Sequence, residues 1–194
     1  MWFTKQIVLG LCLALLMVCG GGCHRPLPAP APGVTLLPGR YLEGSYRAPG
    51  FAPGEAAYEL QAFTVEEIRG LDRDTFLDLL QTDLAQAFEA NGLKLKSGTG
   101  VCRVSGSVRR MTMQGALLRS LLGTISVHLE VSGAITREGQ TLFAFSDRVR
   151  ITSPVNLGPP APKERELLVQ QALRAFFHHL LTEMLFYRAS EPAG

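Results

Sequence analysis

From Thr124 to Thr136 the chain alternates. Ile125, Val127, Leu129, Val131, Gly133 and Ile135 fall on one phase; Thr124, Ser126, His128, Glu130, Ser132 and Thr136 fall on the other. A period of two is the period of a β-strand. Polarity confined to one phase means a sheet that buries one face and wets the other. A slip of one residue would turn the whole apolar set into water, so the register is strongly specified. The neighbouring stretches follow suit. Val101 to Met113 carries Cys102, Val104, Gly106 and Val108 on one side, with Arg103, Ser105, Ser107 and Arg109 on the other. Arg137-Glu138-Gly139 reads as a hairpin turn into a strand over 140–151. A strand over 57–65 and a short one at 93–96 precede them.

A sheet with one apolar face needs a cover, and two segments supply it. Phe76, Leu77, Leu80, Leu84, Ala87 and Phe88 recur at helical spacing, with Asp72 or Asp74 as the N-cap and Asn91-Gly92 as the stop. Val169, Leu173, Phe176, Leu180, Met184 and Tyr187 make a second stripe on a long helix over about 163–187, with Ala172 beside it. The simplest burial is an α+β two-layer sandwich, an antiparallel sheet of four to five strands with two helices packed on one face. Hydrophobic residues make up 46% of the 194 positions, enough for one real core. The predicted organisation is a single domain over 57–188, an irregular or edge-strand segment over 34–56 and a disordered tail over 189–194.

The amino terminus is an address. Lys5 precedes an apolar run of 12 residues, Ile7 to Val18, which fits a signal h-region and falls short of the roughly 20 residues that span a bilayer. Gly20-Gly21-Gly22-Cys23 follows, and resembles the lipobox of bacterial lipoproteins, with Gly20 where an aliphatic residue is usual. The resemblance implies cleavage after residue 22, attachment of diacylglycerol to the Cys23 thiol and acylation, such as palmitate, of its freed amine. Two or more acyl chains anchor stably where one does not. His24 stands where Asp would signal inner-membrane retention, so the resemblance implies the outer membrane, facing the periplasm. Residues 25–33 (RPLPAPAPG) read as an extended proline-rich tether. With Cys12 and Cys19 removed and Cys23 lipidated, Cys102 is the remaining thiol; its place in an alternating apolar pattern predicts a buried structural side chain.

Three stretches carry a wider likeness: Phe76–Gly92 (FLDLLQTDLAQAFEANG), a helix before a strand; Val104-Ser105-Gly106, an aliphatic-polar-glycine step; and Val127–Gly139 (VHLEVSGAITREG), a strand running into a hairpin. In this order they resemble small bacterial envelope lipoprotein domains. These include auxiliary lipoproteins of ABC-type envelope transport systems, the lipopolysaccharide-assembly lipoprotein, and families with TolB- or CsgG-like amino-terminal domains. The resemblance implies a non-catalytic accessory that binds, bridges or assembles other envelope components, with an envelope protein, lipid or lipopolysaccharide as partner. The alternatives are a structural subunit of an oligomeric envelope complex and an anchored enzyme of unrecognised type.

Catalytic motifs are missing. There is no G-x-S-x-G, no Walker A sequence and no dinucleotide fingerprint between strand and helix. His178 and His179 are adjacent, so on a helix they diverge by about 100°, whereas chelating pairs sit at i,i+4. No catalytic residue, metal or cofactor is expected. A formal charge of +2 argues against nucleic acid.

Charge is nevertheless segregated along the chain. Residues 41–91 hold ten acids against Arg47, Arg69 and Arg73. Between Glu89 and Glu130 there is no acid, but there are Lys94, Lys96, Arg103, Arg109, Arg110 and Arg119. Two readings stand: a solvated face balanced by neighbouring acids, or an anionic contact through Arg103, Arg109, Arg110 and Arg119. A second candidate contact is QGALLRSLLG (114–123). There Leu117, Leu118, Leu121 and Leu122 crowd a connection longer than a hairpin needs, as a flap on the core or as a surface for partner or lipid.

Overall fold

The computed structural model describes residues 33–114, 124–153 and 162–186. In chain order the elements are β1 (Gly44–Arg47), β2 (Ala57–Leu60), β3 (Thr64–Arg69), α1 (Arg73–Ala90), β4 (Lys94–Leu95), β5 (Cys102–Gln114), β6 (Ser126–Arg137), β7 (Gln140–Thr152) and α2 (Pro162–Phe186). The alternating segment is β6, the middle strand of an antiparallel meander with β5 and β7. Leu129 stands between Met111 and Val149 in that register. Its apolar phase is buried throughout, from Ile125 to Ile135. Glu138 and Gly139, with φ of +52° and +80°, form the two-residue β6–β7 turn. A left-handed pair of that kind matches the twist of the strands it joins.

The sheet is larger than the four to five antiparallel strands expected, and it is mixed. Seven strands run in the order β1-β7-β6-β5-β2-β4, and β3 pairs with the far half of β5. Both β2 and β3 lie parallel to β5. The cause is the connection: α1 carries the chain back along the sheet between β3 and β5, so β5 sets out in the direction β3 did.

Two local features break the simple alternation. The strand expected over 57–65 is interrupted. Leu60 pairs with Val104 and Thr64 with Ser107, so four steps on one strand match three on the other. The residue that turns inward there is Phe63. A Cβ on Gly106 would lie only 2.3 Å from its ring, so glycine at 106 makes the room. Gly133, the cross-strand partner of Gly106, does the same for the Phe145 ring. In β5, Val108 pairs with Val131 and Arg110 with Glu130, so Arg109 is the extra residue of a bulge. The bulge resets the phase and brings Met111 into the core.

Both helices cover the same face. Asp72 caps α1 by accepting from the backbone N–H groups of Asp74 and Thr75, each at 3.1 Å. Phe76, Leu80, Leu84 and Phe88 are its buried stripe. Gly92, at φ +73°, follows its C-cap Asn91. In α2 the buried surface is wider than the expected stripe and adds Leu168, Phe177, Leu181 and Glu183, because α2 packs against both the sheet and α1. Aromatic pairs tie the layers: Tyr58 of β2 meets Phe88 edge-on at 5.3 Å, and Phe145 of β7 meets Phe176 at 5.9 Å. Because β3 and β7 share a direction, α1 and α2 start from the same end of the sheet and run the same way. None of the described helices is long and apolar enough to cross a membrane.

Candidate functional site

On the open face of the sheet, the basic residues meet acids from adjacent strands. Glu67, Arg110, Glu130 and Arg148 lie in register across β3, β5, β6 and β7, and Glu43 closes the row. The successive contacts are 3.2, 3.8, 3.5 and 3.0 Å. Arg103 meets Glu59 at 3.3 Å, and Arg109 meets Glu66 at 3.9 Å. The acid-rich first half of the chain thus lies beside the acid-free middle, because β2 and β3 flank β5. Such half-exposed pairs are each worth only about 0–1 kcal/mol. An anionic partner reaching Arg103, Arg109 or Arg110 would have to displace these carboxylates. Arg119, Cys23, Leu117, Leu118, Leu121 and Leu122 lie outside the described residues.

A second site is built on buried charge. Glu183 of α2 is 1% exposed and Asp147 of β7 is 3% exposed. Glu183 accepts from the backbone N–H of Arg40 at 3.0 Å and of Tyr41 at 2.8 Å, and from the Ser45 hydroxyl at 3.0 Å. Asp147 accepts from the backbone N–H of Glu43 at 3.3 Å and pairs with His179 Nδ1 at 2.8 Å. Gly39 lets this happen: a Cβ there would come within 3.0 Å of Glu183 Oε1 and 2.7 Å of the Leu42 carbonyl oxygen. Leu37 bridges Ser45 through two backbone hydrogen bonds. Arg47 donates to the Met184 carbonyl at 3.1 Å. Residues 37–47 therefore form a strap clamped to α2 and β7 by two carboxylates that water does not reach.

The third site is a groove of about 340 Å³ between α1 and α2. Ala87, Phe177 and Leu181 contribute its apolar wall; Asp83, Arg174 and His178 bring charge or a titratable ring. Asp83 Oδ2 is buried and has no hydrogen-bond partner. Arg174 is exposed and makes no ion pair with it.

The two histidines part company. His178 stands on the groove, while His179 is half-buried against Asp147. Burial pushes the Asp147 carboxyl up, and the bond to His179 pulls it partly back. His128, on the open face, is pushed down by burial and by the Arg150 charge. Cys102 is buried and its thiol is pushed up, the opposite of an activated thiolate. Among the described residues no group of three or more His, Cys, Asp or Glu could hold a metal.

The clamp and the groove were missed by sequence reasoning, though the clamp leaves a trace. Asp147 falls on the inward phase of β7 with Phe143, Phe145 and Val149. Glu183 sits between Leu180 and Met184 on the apolar stripe of α2. A charge on the wrong phase is the signal that could have found them.

No protein-family model matches the chain, and no curated protein matches it in sequence. Solved structures resemble it, one of them at a TM-score of 0.50. Protein XCC0632 from Xanthomonas campestris, of family DUF330, is 12% identical with a TM-score of 0.50, over 70% of this chain and 86% of that one. A minor lipoprotein from Acinetobacter baumannii is 13% identical with a TM-score of 0.47, over 67% and 92%. Rare lipoprotein B from Shewanella oneidensis is 14% identical with a TM-score of 0.41, over 65% and 92%. At 12% identity the likeness to protein XCC0632 is one of fold alone.

Proposed function

We propose that this chain is a lipid-anchored, periplasm-facing accessory of the bacterial outer membrane, non-catalytic, that binds or helps assemble another envelope component. The observation that carries the reading is the strap. The lipobox-like Cys23 and the proline-rich stretch lead directly into residues 37–47, and this is the segment that Glu183 and Asp147 clamp to the domain. An anchor joined through a loose linker would need no such clamp. Here a pull on the anchor is borne by the hydrogen bonds to Glu183 and Asp147 and by β1, the strand in which the strap ends. The lipoproteins among the structural neighbours agree with the envelope setting and add nothing on a partner. Cys23→Ala tests the reading. The variant should leave the membrane fraction for the soluble periplasm, and the wild-type protein should stay with the outer membrane. Membrane association unchanged by the substitution would defeat the proposal.

A further inference from the structure

We propose that Leu37, Tyr41 and Phe186, together with Arg40, form a membrane-contact patch that seats the domain on the headgroup region of the bilayer that anchors it. The inference rests on the reading of the chain as lipid-anchored and deepens it: the anchor holds the chain at the membrane, and the patch sets which way the domain faces. It starts from what the core leaves outside. Leu37, Tyr41, Leu167 and Phe186 are the large apolar side chains exposed among the described residues. Three of the four gather around one carboxylate. Glu183 accepts from the backbone N–H groups of Arg40 and Tyr41 and from the Ser45 hydroxyl. Leu37 is joined to Ser45 by two backbone hydrogen bonds, and Phe186 stands about one turn beyond Glu183 on α2. A single exposed apolar residue needs no explanation; three gathered from two separate segments mark a contact surface.

Chemistry and position select a lipid surface. The Arg40 guanidinium lies over the Tyr41 ring, 5.6 Å from its centre. Tyrosine and arginine are apolar along the body and polar at the tip, and tyrosine rings concentrate where acyl chains meet headgroups. The acids of this neighbourhood are withdrawn: Glu183 and Asp147 are buried, and Glu43 is paired with Arg148 at 3.0 Å. Arg40 is left exposed to meet anionic headgroups. Leu37 pairs antiparallel with Ser45, so the chain enters from the end toward which β1 runs. The end of α2 lies there too, since Arg47, the last residue of β1, donates to the Met184 carbonyl. Gly33 is ten residues from Cys23, a span of at most about 36 Å in any conformation. The patch therefore lies on the side from which the anchor comes and within its reach.

The test uses the full chain in intact envelopes, with the photo-crosslinking residue p-benzoylphenylalanine in place of Tyr41, Phe186 or Leu167 in turn. Positions 41 and 186 should give phospholipid adducts, identified by mass. Position 167, about 28 Å back along α2, should give none. A second measurement is independent of Cys23. Residues 24–194, which contain every described contact of the fold, carry an amino-terminal hexahistidine that tethers them to vesicles of phosphatidylethanolamine, phosphatidylglycerol and a nickel-chelating lipid. The sequence has one tryptophan, Trp2, outside that range, so Tyr41→Trp supplies the sole indole. Its emission should move to the blue on tethering and be quenched by phospholipid brominated along the acyl chain; that of Leu167→Trp should do neither. Both variants should melt with the unsubstituted chain, because the side chains they replace are exposed. The inference is overturned by a protein adduct at 41 or 186, a second copy of the chain included, by lipid adducts equal at all three positions, or by Tyr41→Trp emission that tethering leaves unchanged. Because the hexahistidine stands in for the acyl chains, failure of the patch and failure of the Cys23 anchor are separate results.

Discussion

Asp147 shows how one residue can link the sheet, a helix and the strap. It points inward from β7, accepts from the Glu43 backbone and meets His179 of α2. Its folded-state carboxyl titrates above the ordinary carboxylate value because burial penalises the charge. Stability from that shift is therefore fully present below the ordinary value, about pH 3.9, and is lost as pH rises through the raised one. Asp72 behaves oppositely: the Thr75 and Asp74 hydrogen bonds lower it, so its contribution is present at neutral pH and lost in acid. The prediction at this scale is a comparison of melting temperatures for wild type and Asp147→Asn. Between about pH 3.5 and about pH 7 the difference should move steadily in favour of the Asn variant. A constant difference, or movement the other way, would contradict the account. The site itself was only half legible at the level of residues. The acid and basic blocks are visible in the chain, but their pairing depends on β2 and β3 lying beside β5, which no local pattern reveals.

At the scale of elements, burial does most of the work. Leu129 on β6 and Phe176 on α2 belong to opposite walls of one core, 1% and 0% exposed. Truncating either to Ala should cost about 2–5 kcal/mol in chemical denaturation, the usual range for large core side chains. Losses below about 1 kcal/mol for both would show the face assignment to be mistaken. Those faces were readable because β6, α1 and α2 keep an unbroken period along their length. The mixed sheet was not readable, because strand direction is set by a crossover, not by side-chain pattern. The break at 61–63 and the bulge at Arg109 were hidden for a related reason. Each shifts the phase by one residue, and only the partner strand shows where the shift occurs. The doublet Arg109-Arg110, between Val108 and Met111, is the one trace of it: two inward residues three apart cannot share a face in a regular strand.

At the scale of the whole molecule, chain entry and helix exit share one end of the sandwich. The start of the strap, at Leu37, pairs antiparallel with β1 at Ser45, so the chain arrives from the end toward which β1 runs. Met184, near the end of α2, is held there by Arg47. Gln114 and Ser126, which flank the leucine-rich connection, mark the opposite end of the meander from the Glu138-Gly139 turn. On the proposed reading the clamp stands between the anchor and the rest of the domain, with Glu183 as its centre. Hydrogen exchange of the peptide spanning 37–47 measures that directly. In the wild-type protein the Arg40 and Tyr41 amides should be protected nearly as well as the meander. In Glu183→Ala they should exchange much faster while β5, β6 and β7 stay protected. Rapid exchange of those two amides in the wild-type protein, or protection unchanged by Glu183→Ala, would contradict the account of an anchor joined to its domain through a buried carboxylate.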